Sequence, residues 1–119
     1  MAIDLTQYAK QSTLRLTTTG RKSGCQHAVP LWFVVTGPQR IVVQHVRGKA
    51  DWYRNVVKTP AVQVDFGDGP RAARATPVTD RSDVTRILAL IRRKYLLAWL
   101  LQALGTSHAV AAVVEVADG

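Results

Sequence analysis

The sequence predicts a mainly β fold in which a small barrel of six strands is flanked by one short and one long helix. Two observations support this prediction. Short segments rich in β-branched residues recur between turns that contain glycine or proline, and only two segments look helical from their sequence. With 119 residues, the chain has the length of one domain with a single core.

Six segments are predicted to be strands because they are rich in β-branched or apolar residues: 13–19, 28–36, 40–46, 61–66, 71–78 and 109–116. Pro30 lies within the second segment and favours an edge strand or a bulge there, since proline cannot donate a hydrogen bond to a neighbouring strand. The GPQ turn at 37–39 joins the second and third strands, so 28–46 is predicted to be a hairpin.

Two helices are predicted, over 50–58 and 81–104. Pro60 ends the short helix, Asp80 is the expected N-cap of the long one, and Gly105 ends it. An apolar stripe runs along the long helix: Val84, Ile87, Leu88, Ile91, Tyr95, Ala98 and Trp99. Beyond Tyr95 the run LLAWLLQAL is apolar on nearly every face. It would cover a substrate pocket, contact a second subunit, or touch a membrane surface beside the basic residues 92–94.

Positive charge is concentrated in the first half of the chain. The formal net charge is +8, and residues 1–60 hold nine Lys or Arg side chains against two carboxylates. Such a field attracts nucleic acid, an acidic membrane, or a phosphorylated or carboxylated small molecule, unless it serves solubility alone. Nucleic acid is disfavoured, because the basic half lacks interleaved aromatic residues and a helix-turn-helix pattern.

Composition also bears on location and on metals. No apolar stretch reaches the roughly 18 residues of a membrane span, and the opening MAIDLTQYAKQ lacks the apolar core of a signal peptide, so we expect a cytoplasmic protein. The single cysteine, Cys25, cannot form an internal disulfide, and three scattered histidines give no ground for a metal site. Cys25 and His27 could form a nucleophilic pair, but no third residue to orient the histidine is evident.

The segment LTTTGRKSG, residues 16–24, is the most informative motif. A predicted strand ends at a turn that is bracketed by Gly20 and Gly24 and holds Arg21, Lys22 and Ser23. Backbone N–H groups, a hydroxyl and two positive charges in one turn can bind phosphate without a P-loop. The turn lacks the first glycine and the spacing of a Walker motif. A solvated hairpin turn with incidental basic residues is the alternative.

Four pieces of sequence occur in a particular order: LTTTGRKSG, then VPLWF, then the basic turn VRGKAD, then WYRN with a proline five residues on. In this order they resemble the deazaflavin-dependent nitroreductase family. Members of that family are split β-barrel proteins related to the pyridoxamine-phosphate-oxidase and FMN-binding barrels. The resemblance, dense from about Leu14 to Val64, implies a six-stranded antiparallel split β-barrel that binds the deazaflavin coenzyme F-420.

The resemblance implies a phosphate site at the GRKSG turn. In this family the turn holds the phosphate of coenzyme F-420, which implies that Arg21, Lys22, Ser23 and Gly24 bind it here. Where the family usually has an arginine on the same phosphate, this chain has His27. A neutral imidazole offers one hydrogen bond in place of a charged fork, so a weaker or rearranged grip on the phosphate is expected.

Further residues match family positions around the cofactor ring. Those that match the ring pocket, or the basic turn whose backbone amides meet the ring, are Pro30, Leu31, Trp32, His45, Val46, Arg47 and Gly48. The loop from this turn to Trp52 is shorter than in well-known nitroreductases. Trp52 is expected to pack near the cofactor, with ordinary core packing as the alternative, and Asn55 to fix the short helix.

Tyr95 falls where some family members place a tyrosine over the substrate pocket. A tyrosine there could orient a carbonyl or nitro oxygen, or donate a proton to the reduced acceptor. Tyr95 is therefore the candidate catalytic residue, and an ordinary core position is the alternative.

The function that the resemblance implies is hydride transfer from reduced coenzyme F-420 to a quinone, an enone or a nitroaromatic compound, with FMN as the alternative cofactor. Two other functions stay open. One is a non-catalytic barrel that binds FMN, haem or a fatty acid, and the other is a structural or membrane-peripheral subunit. Related barrels dimerise with sites at the subunit interface, so a homodimer is expected.

Overall fold

Seven antiparallel strands form one curled sheet in the structure, a computed structural model that describes residues 4–45, 50–95 and 109–116. The strands are β1 Leu14–Thr19, β2 Gln26–Leu31, β3 Phe33–Gly37, β4 Arg40–His45, β5 Ala61–Asp65, β6 Pro70–Val78 and β7 Val110–Val116. Their order across the sheet is β2-β1-β5-β6-β7-β4-β3. A 3-10 helix covers Leu5–Tyr8, helix α1 covers Asp51–Lys58 and helix α2 covers Arg81–Lys94.

The two edge strands of the sheet, β2 and β3, are consecutive in the chain. The segment 28–36, predicted as one strand, breaks at Trp32. Its first part pairs with β1 and its second part pairs with β4. The chain therefore passes from one edge of the sheet to the other through one residue, and the sheet curls into a half-barrel. Because of this break the described sheet has seven strands and not the predicted six. The predicted mainly β antiparallel barrel with two flanking helices is confirmed.

Pro30 lies in the edge strand β2, which is the position its missing N–H requires. The predicted hairpin over 28–46 holds only for its second part, where β3 and β4 pair from Phe33 opposite Val43 to Gly37 opposite Arg40. The first part pairs with β1 instead, because the corner at Trp32 sends the two parts to different edges.

The barrel core is formed by the inward-facing residues of the strands. Leu16, Ile41 and Val114 are fully buried there, as expected for strands with one face in a core. Trp52 and Val56 of α1 pack into the same core. The short helix is therefore attached to the barrel by its apolar face, and its polar face is left for other contacts.

Helix α2 packs on the outer face of the sheet. Asp80 is its N-cap as predicted, with Oδ1 accepting a hydrogen bond from the Ser82 backbone N–H at 3.0 Å. The buried stripe of the helix consists of Val84, Ile87, Leu88 and Ile91. This stripe contacts Val42 and Ala111, which alternate with core residues along β4 and β7.

Helix α2 ends earlier than predicted, at Lys94, and Tyr95 has an extended backbone with φ −118° and ψ 115°. The Tyr95 ring stacks on Trp32 with ring centroids 4.6 Å apart, and its hydroxyl oxygen accepts a hydrogen bond from the Phe33 backbone N–H at 3.1 Å. The apolar spacing of the sequence favours a helical Tyr95, but its contacts with the β2–β3 corner are made with an extended backbone. Residues 96–104, the rest of the predicted helix, lie outside the described residues.

Lys94 contacts the same corner. Its Nζ donates a hydrogen bond to the Phe33 carbonyl at 2.8 Å and lies 3.8 Å from the centroid of the Phe33 ring. Partial burial lowers the pKa of Lys94 from 10.5 to about 8, because desolvation disfavours the charged ammonium.

This lowered pKa predicts a pH dependence of stability. Between pH values of about 8 and 10.5 the unfolded chain binds more protons at Lys94 than the folded chain, so the contribution of Lys94 to the free energy of unfolding rises with pH over that window. We expect urea denaturation at about pH 7, 8.5 and 10 to show that the free energy of unfolding of wild type rises relative to that of Lys94→Met as the pH increases. A difference that does not change with pH would show that this amine is not desolvated.

Candidate functional site

The GRKSG turn is a tight loop between β1 and β2. The Gly20 N–H donates to the Cys25 carbonyl at 2.7 Å, and the Gly24 N–H donates to the Gly20 carbonyl at 2.9 Å. Gly24 has a φ of +73°, which side chains disfavour. A Cβ at Gly20 would lie 2.8 Å from Ser23 Oγ. The geometry of the turn therefore requires both bracketing glycines.

Asn55 of α1 fastens this turn to the helix. Its Oδ1 accepts hydrogen bonds from the Arg21 backbone N–H at 3.2 Å and from the Arg21 guanidinium at 3.0 Å. Its Nδ2 donates to Thr18 Oγ1 at 3.1 Å, and both side chains are buried. Lys58 adds a hydrogen bond from Nζ to the Arg21 carbonyl at 2.7 Å. Two residues of α1 thus hold the turn in place.

A pocket of about 380 Å³ lies beside the turn. Its lining residues come from the end of β1, the turn, the start of β2 and the first half of α1: Thr18, Gly20, Arg21, Lys22, Ser23, His27, Ala28, Val29, Asp51, Trp52 and Asn55. The pocket is therefore built by the packing of α1 against the GRKSG hairpin.

The cations of the pocket differ in how far they are already paired. The Arg21 guanidinium is shared between Asn55 Oδ1 and the Asp51 carboxylate, whose Oδ1 lies 3.4 Å from it. Lys22 is exposed, and no described residue forms a hydrogen bond or an ion pair with its ammonium. The backbone N–H groups of Lys22 and Ser23 also have no partner among the residues described. The turn thus presents one free ammonium and two free N–H donors.

Two ring side chains complete the lining. Trp52 is 4% exposed, and its buried indole N–H has no hydrogen-bond partner in the described part of the chain. Leaving a buried donor unpaired costs about 1–3 kcal/mol. His27 lies opposite Thr18 in the β1–β2 register, so both side chains are on the inner face of the sheet.

The structure brings together five of the residues predicted for the cofactor site: Arg21, Lys22, Ser23, His27 and Trp52. Gly24 belongs to the same turn but is not in the lining. His45 is the last residue of β4, and its buried Nε2 has no partner among the described residues. Val46, Arg47 and Gly48 lie outside the described residues.

The segment Pro30–Trp32 does not line this pocket. Pro30 lines a separate shallow pocket together with Arg15 and Asp65, and Leu31 is buried in the barrel core. Trp32 lies at the β2–β3 corner against Tyr95. The ring-pocket role that the resemblance implies for these three residues stays a prediction.

Tyr95 also lies at this corner. Its hydroxyl is 2.6 Å from the Ser12 carbonyl oxygen and 2.9 Å from the Phe33 carbonyl oxygen. Burial raises the pKa of Tyr95, and the hydrogen bond with the Phe33 backbone lowers it in part. The hydroxyl is thus engaged with backbone groups, and its catalytic role stays a prediction.

Three polar or charged residues of this region were not predicted as site residues from the sequence: Thr18, Asp51 and Lys58. The alternation of β1 places Thr18 on the same face as Leu14 and Leu16, and this signal is present in the sequence. No local signal connects Asp51 or Lys58 to Arg21, because these contacts depend on where α1 packs.

Within the described ranges, no group of three or more His, Cys, Asp or Glu side chains is placed to hold a metal ion. None of the helices described is both long enough and apolar enough to span a membrane. Cys25 is exposed beside the turn.

The curled antiparallel sheet and its two helices form a split β-barrel, a fold that solved pyridoxamine 5'-phosphate oxidase-like proteins share. A solved Listeria innocua protein, assigned as such an oxidase, is 17% identical to it with a TM-score of 0.69 over 94% of this chain and 89% of that one. The sequence model of the F420H(2)-dependent quinone reductase family matches residues 4–116, and the chain belongs to that family. The resemblance seen in the sequence is thereby confirmed.

Two other solved structures are similar. An F420-H2 dependent reductase, FDR-A, is 26% identical, with a TM-score of 0.66 over 88% of this chain and 95% of that one. A protein solved as a domain-swapped dimer is 24% identical, with a TM-score of 0.70 over 88% of this chain and 81% of that one. No protein of curated function matches the sequence.

The hydrogen bonds of Asn55 predict a large effect of its removal. We expect Asn55→Ala to lower the free energy of unfolding by about 2–4 kcal/mol, because it leaves the buried Thr18 hydroxyl and the Arg21 N–H without their partner. Urea denaturation measures this value. Gln63→Ala, on an exposed strand position, is the control and should stay within about 0.5 kcal/mol of wild type. Equal effects of the two substitutions would show that Asn55 does not hold the turn.

Proposed function

We propose that this protein is an F420H2-dependent reductase that binds coenzyme F-420 with its phosphate on the GRKSG turn and transfers hydride to a quinone. The single observation that carries the proposal is the pocket beside this turn, in whose lining the packing of α1 brings together five residues that the resemblance had assigned to the cofactor. Membership of the F420H(2)-dependent quinone reductase family supports it.

The residues of the pocket suit an anionic cofactor. The Lys22 ammonium and the free backbone N–H groups of Lys22 and Ser23 are donors for phosphate oxygens, and hydrogen bonds to ionised groups are the strong ones. The Trp52 side chain in the lining can pack against the ring system of the ligand. Arg21 adds positive charge while Asn55 holds its side chain in place.

When bound, reduced coenzyme F-420 supplies the hydride, and the protein supplies binding and orientation. In this proposal Lys22 and Ser23 would hold the phosphate, and the Trp52 side chain would pack against another part of the cofactor. Two separate contacts would restrict the orientation of the bound cofactor, and orienting the reacting groups is one way in which a protein accelerates a reaction. His45 precedes the turn that the resemblance places against the cofactor ring.

A quinone is the proposed acceptor because of the family to which the chain belongs. Enones and nitroaromatic compounds are also two-electron acceptors and are the other candidates. FMN is the alternative cofactor, since it carries a phosphate and a comparable ring system.

A homodimer is the proposed assembly. A structural relative that is 24% identical is a domain-swapped dimer. The outer face of β1, β2 and β5 carries polar exposed residues such as Arg15 and Gln63, while α2 packs over β4 and β7. Within the part of the chain that the structure describes, no helix packs on this face, and it is the proposed contact surface for a second copy.

The proposal predicts that Lys22→Ala weakens binding of coenzyme F-420 by roughly tenfold to a hundredfold, because it removes the free ammonium of the turn. Fluorescence titration of the cofactor measures the dissociation constant. Separate titrations with FMN and with haem test the alternative ligands. Lys10→Ala is the matched control, since Lys10 is an exposed lysine outside the pocket. Affinity should also fall as salt rises. Equal affinities of the two variants would exclude the turn as the phosphate site.

Turnover tests Tyr95. With reduced coenzyme F-420 and a soluble naphthoquinone, the wild type should oxidise the cofactor, followed by absorbance. A catalytic hydroxyl predicts that Tyr95→Phe lowers turnover by at least about tenfold. Its hydrogen bonds with Phe33 and Ser12 predict a loss of about 1–2 kcal/mol in the free energy of unfolding in either case. Turnover like that of the control Tyr8→Phe would remove Tyr95 from the chemistry and leave its structural role.

A further inference from the structure

Asp51 places a carboxylate in the lining of a pocket where the other charged lining residues among those described, Arg21 and Lys22, are cationic. Asp51 is the first residue of α1. Its Oδ1 lies 3.4 Å from a terminal nitrogen of Arg21 and 3.5 Å from a terminal nitrogen of Arg54. A carboxylate in an anion-binding pocket opposes binding, because like charges repel. Its presence there calls for an explanation.

We propose that Asp51 is a specificity-determining residue that excludes small anions from the pocket by occupying Arg21. The inference rests on the proposed function, since it concerns the same phosphate site. Asp51 acts as an internal competitor, and an incoming anion must either displace its carboxylate from Arg21 or bind beside it.

The hydrogen bonds of Arg21 show which of its contacts a ligand can replace. One terminal nitrogen is bonded to Asn55, which is buried and also holds the Arg21 backbone. The other is paired with Asp51, whose side chain is 62% exposed. Exposed ion pairs of this kind are weak. The Asp51 contact is therefore the one that opens, and Arg21 keeps its position through Asn55 when it does.

The consequence differs between a small anion and a cofactor. Free phosphate has only its charge and a few donors with which to offset the displacement of Asp51. A larger ligand also packs against the Trp52 ring and the apolar lining at Ala28 and Val29. The same electrostatic penalty lowers both affinities. The cofactor gains further binding free energy from these additional contacts, whereas free phosphate has no such contacts to offset the penalty.

A purely positional role predicts the opposite sign. Asp51 could serve only to hold Arg21, or to stabilise α1 through its negative charge at the helix N-terminus. In that case removal of the charge would loosen the pocket and weaken the binding of every anion. The direction of the change in affinity therefore distinguishes the two roles.

The experiment is a titration of the ¹⁵N-labelled full chain with inorganic phosphate, followed at the Lys22 and Ser23 amides and the Trp52 indole N–H. We expect Asp51→Asn to bind phosphate about three to ten times more tightly than wild type, with the gain shrinking as salt rises. Asp51→Glu, which keeps the charge, should resemble wild type. Asp83→Asn is the control, because Asp83 also lies in a first helical turn and pairs with an arginine three residues on, Arg86.

Equal or weaker phosphate binding by Asp51→Asn, in a chain whose spectrum shows it folded, overturns the inference. Asp51→Ser replaces it if the amide variant does not fold. A parallel titration with coenzyme F-420 separates this result from the proposed function. If phosphate shifts the turn amides as expected while wild type does not bind the coenzyme, the proposed function fails and the role of Asp51 stands. If phosphate shifts none of these signals in either protein, the inference is wrong whatever the coenzyme does.

Discussion

The buried hydrogen bonds of Asn55 join three parts of the molecule on which the pocket depends. Through Thr18 they reach strand β1, through Arg21 they reach the GRKSG turn, and Asn55 itself belongs to helix α1. The helix is attached to the barrel by the apolar residues Trp52 and Val56. Apolar packing thus decides where the helix lies, and the polar clamp decides how the turn meets it. Both are needed, because a loop with free N–H donors binds an anion well only when it is held still.

The same geometry determines how many of the positive charges at the site are available to a ligand. Nine basic residues in the first half of the chain create a field that attracts anions. Within the site, however, the Arg21 guanidinium is paired with Asp51 and Asn55, and Lys58 is bonded to a backbone carbonyl. Lys22 is the cation that the turn leaves unpaired among the described residues. The field attracts anions to the protein, while the local pairing changes which of its cations are available to bind one.

A second constraint acts at the β2–β3 corner. Trp32 stacks on Tyr95, and Lys94 and Tyr95 bond to the backbone of Phe33. The corner divides what would otherwise be one long strand into β2 and β3, which lie at opposite edges of the sheet. The GRKSG turn at the other end of β2 joins it to β1 and places His27 opposite Thr18 and within the pocket. The corner therefore sets where β2 ends, and the turn sets how β2 pairs with β1.

Elements and motifs that depend on neighbouring residues in the chain could be predicted from the sequence alone. Alternating apolar residues gave most of the strands, Asp80 marked the start of α2, Pro30 indicated an edge strand, and the GRKSG turn with its ordered companion motifs indicated the family. Tertiary structure decided the rest: the break at Trp32, the end of α2 at Lys94, and the sharing of Arg21 between Asp51 and Asn55. Each of these depends on contacts between residues some 30 to 60 positions apart in the chain. The spacing of residues within a short segment cannot predict such contacts, because they form only when the barrel brings distant segments together.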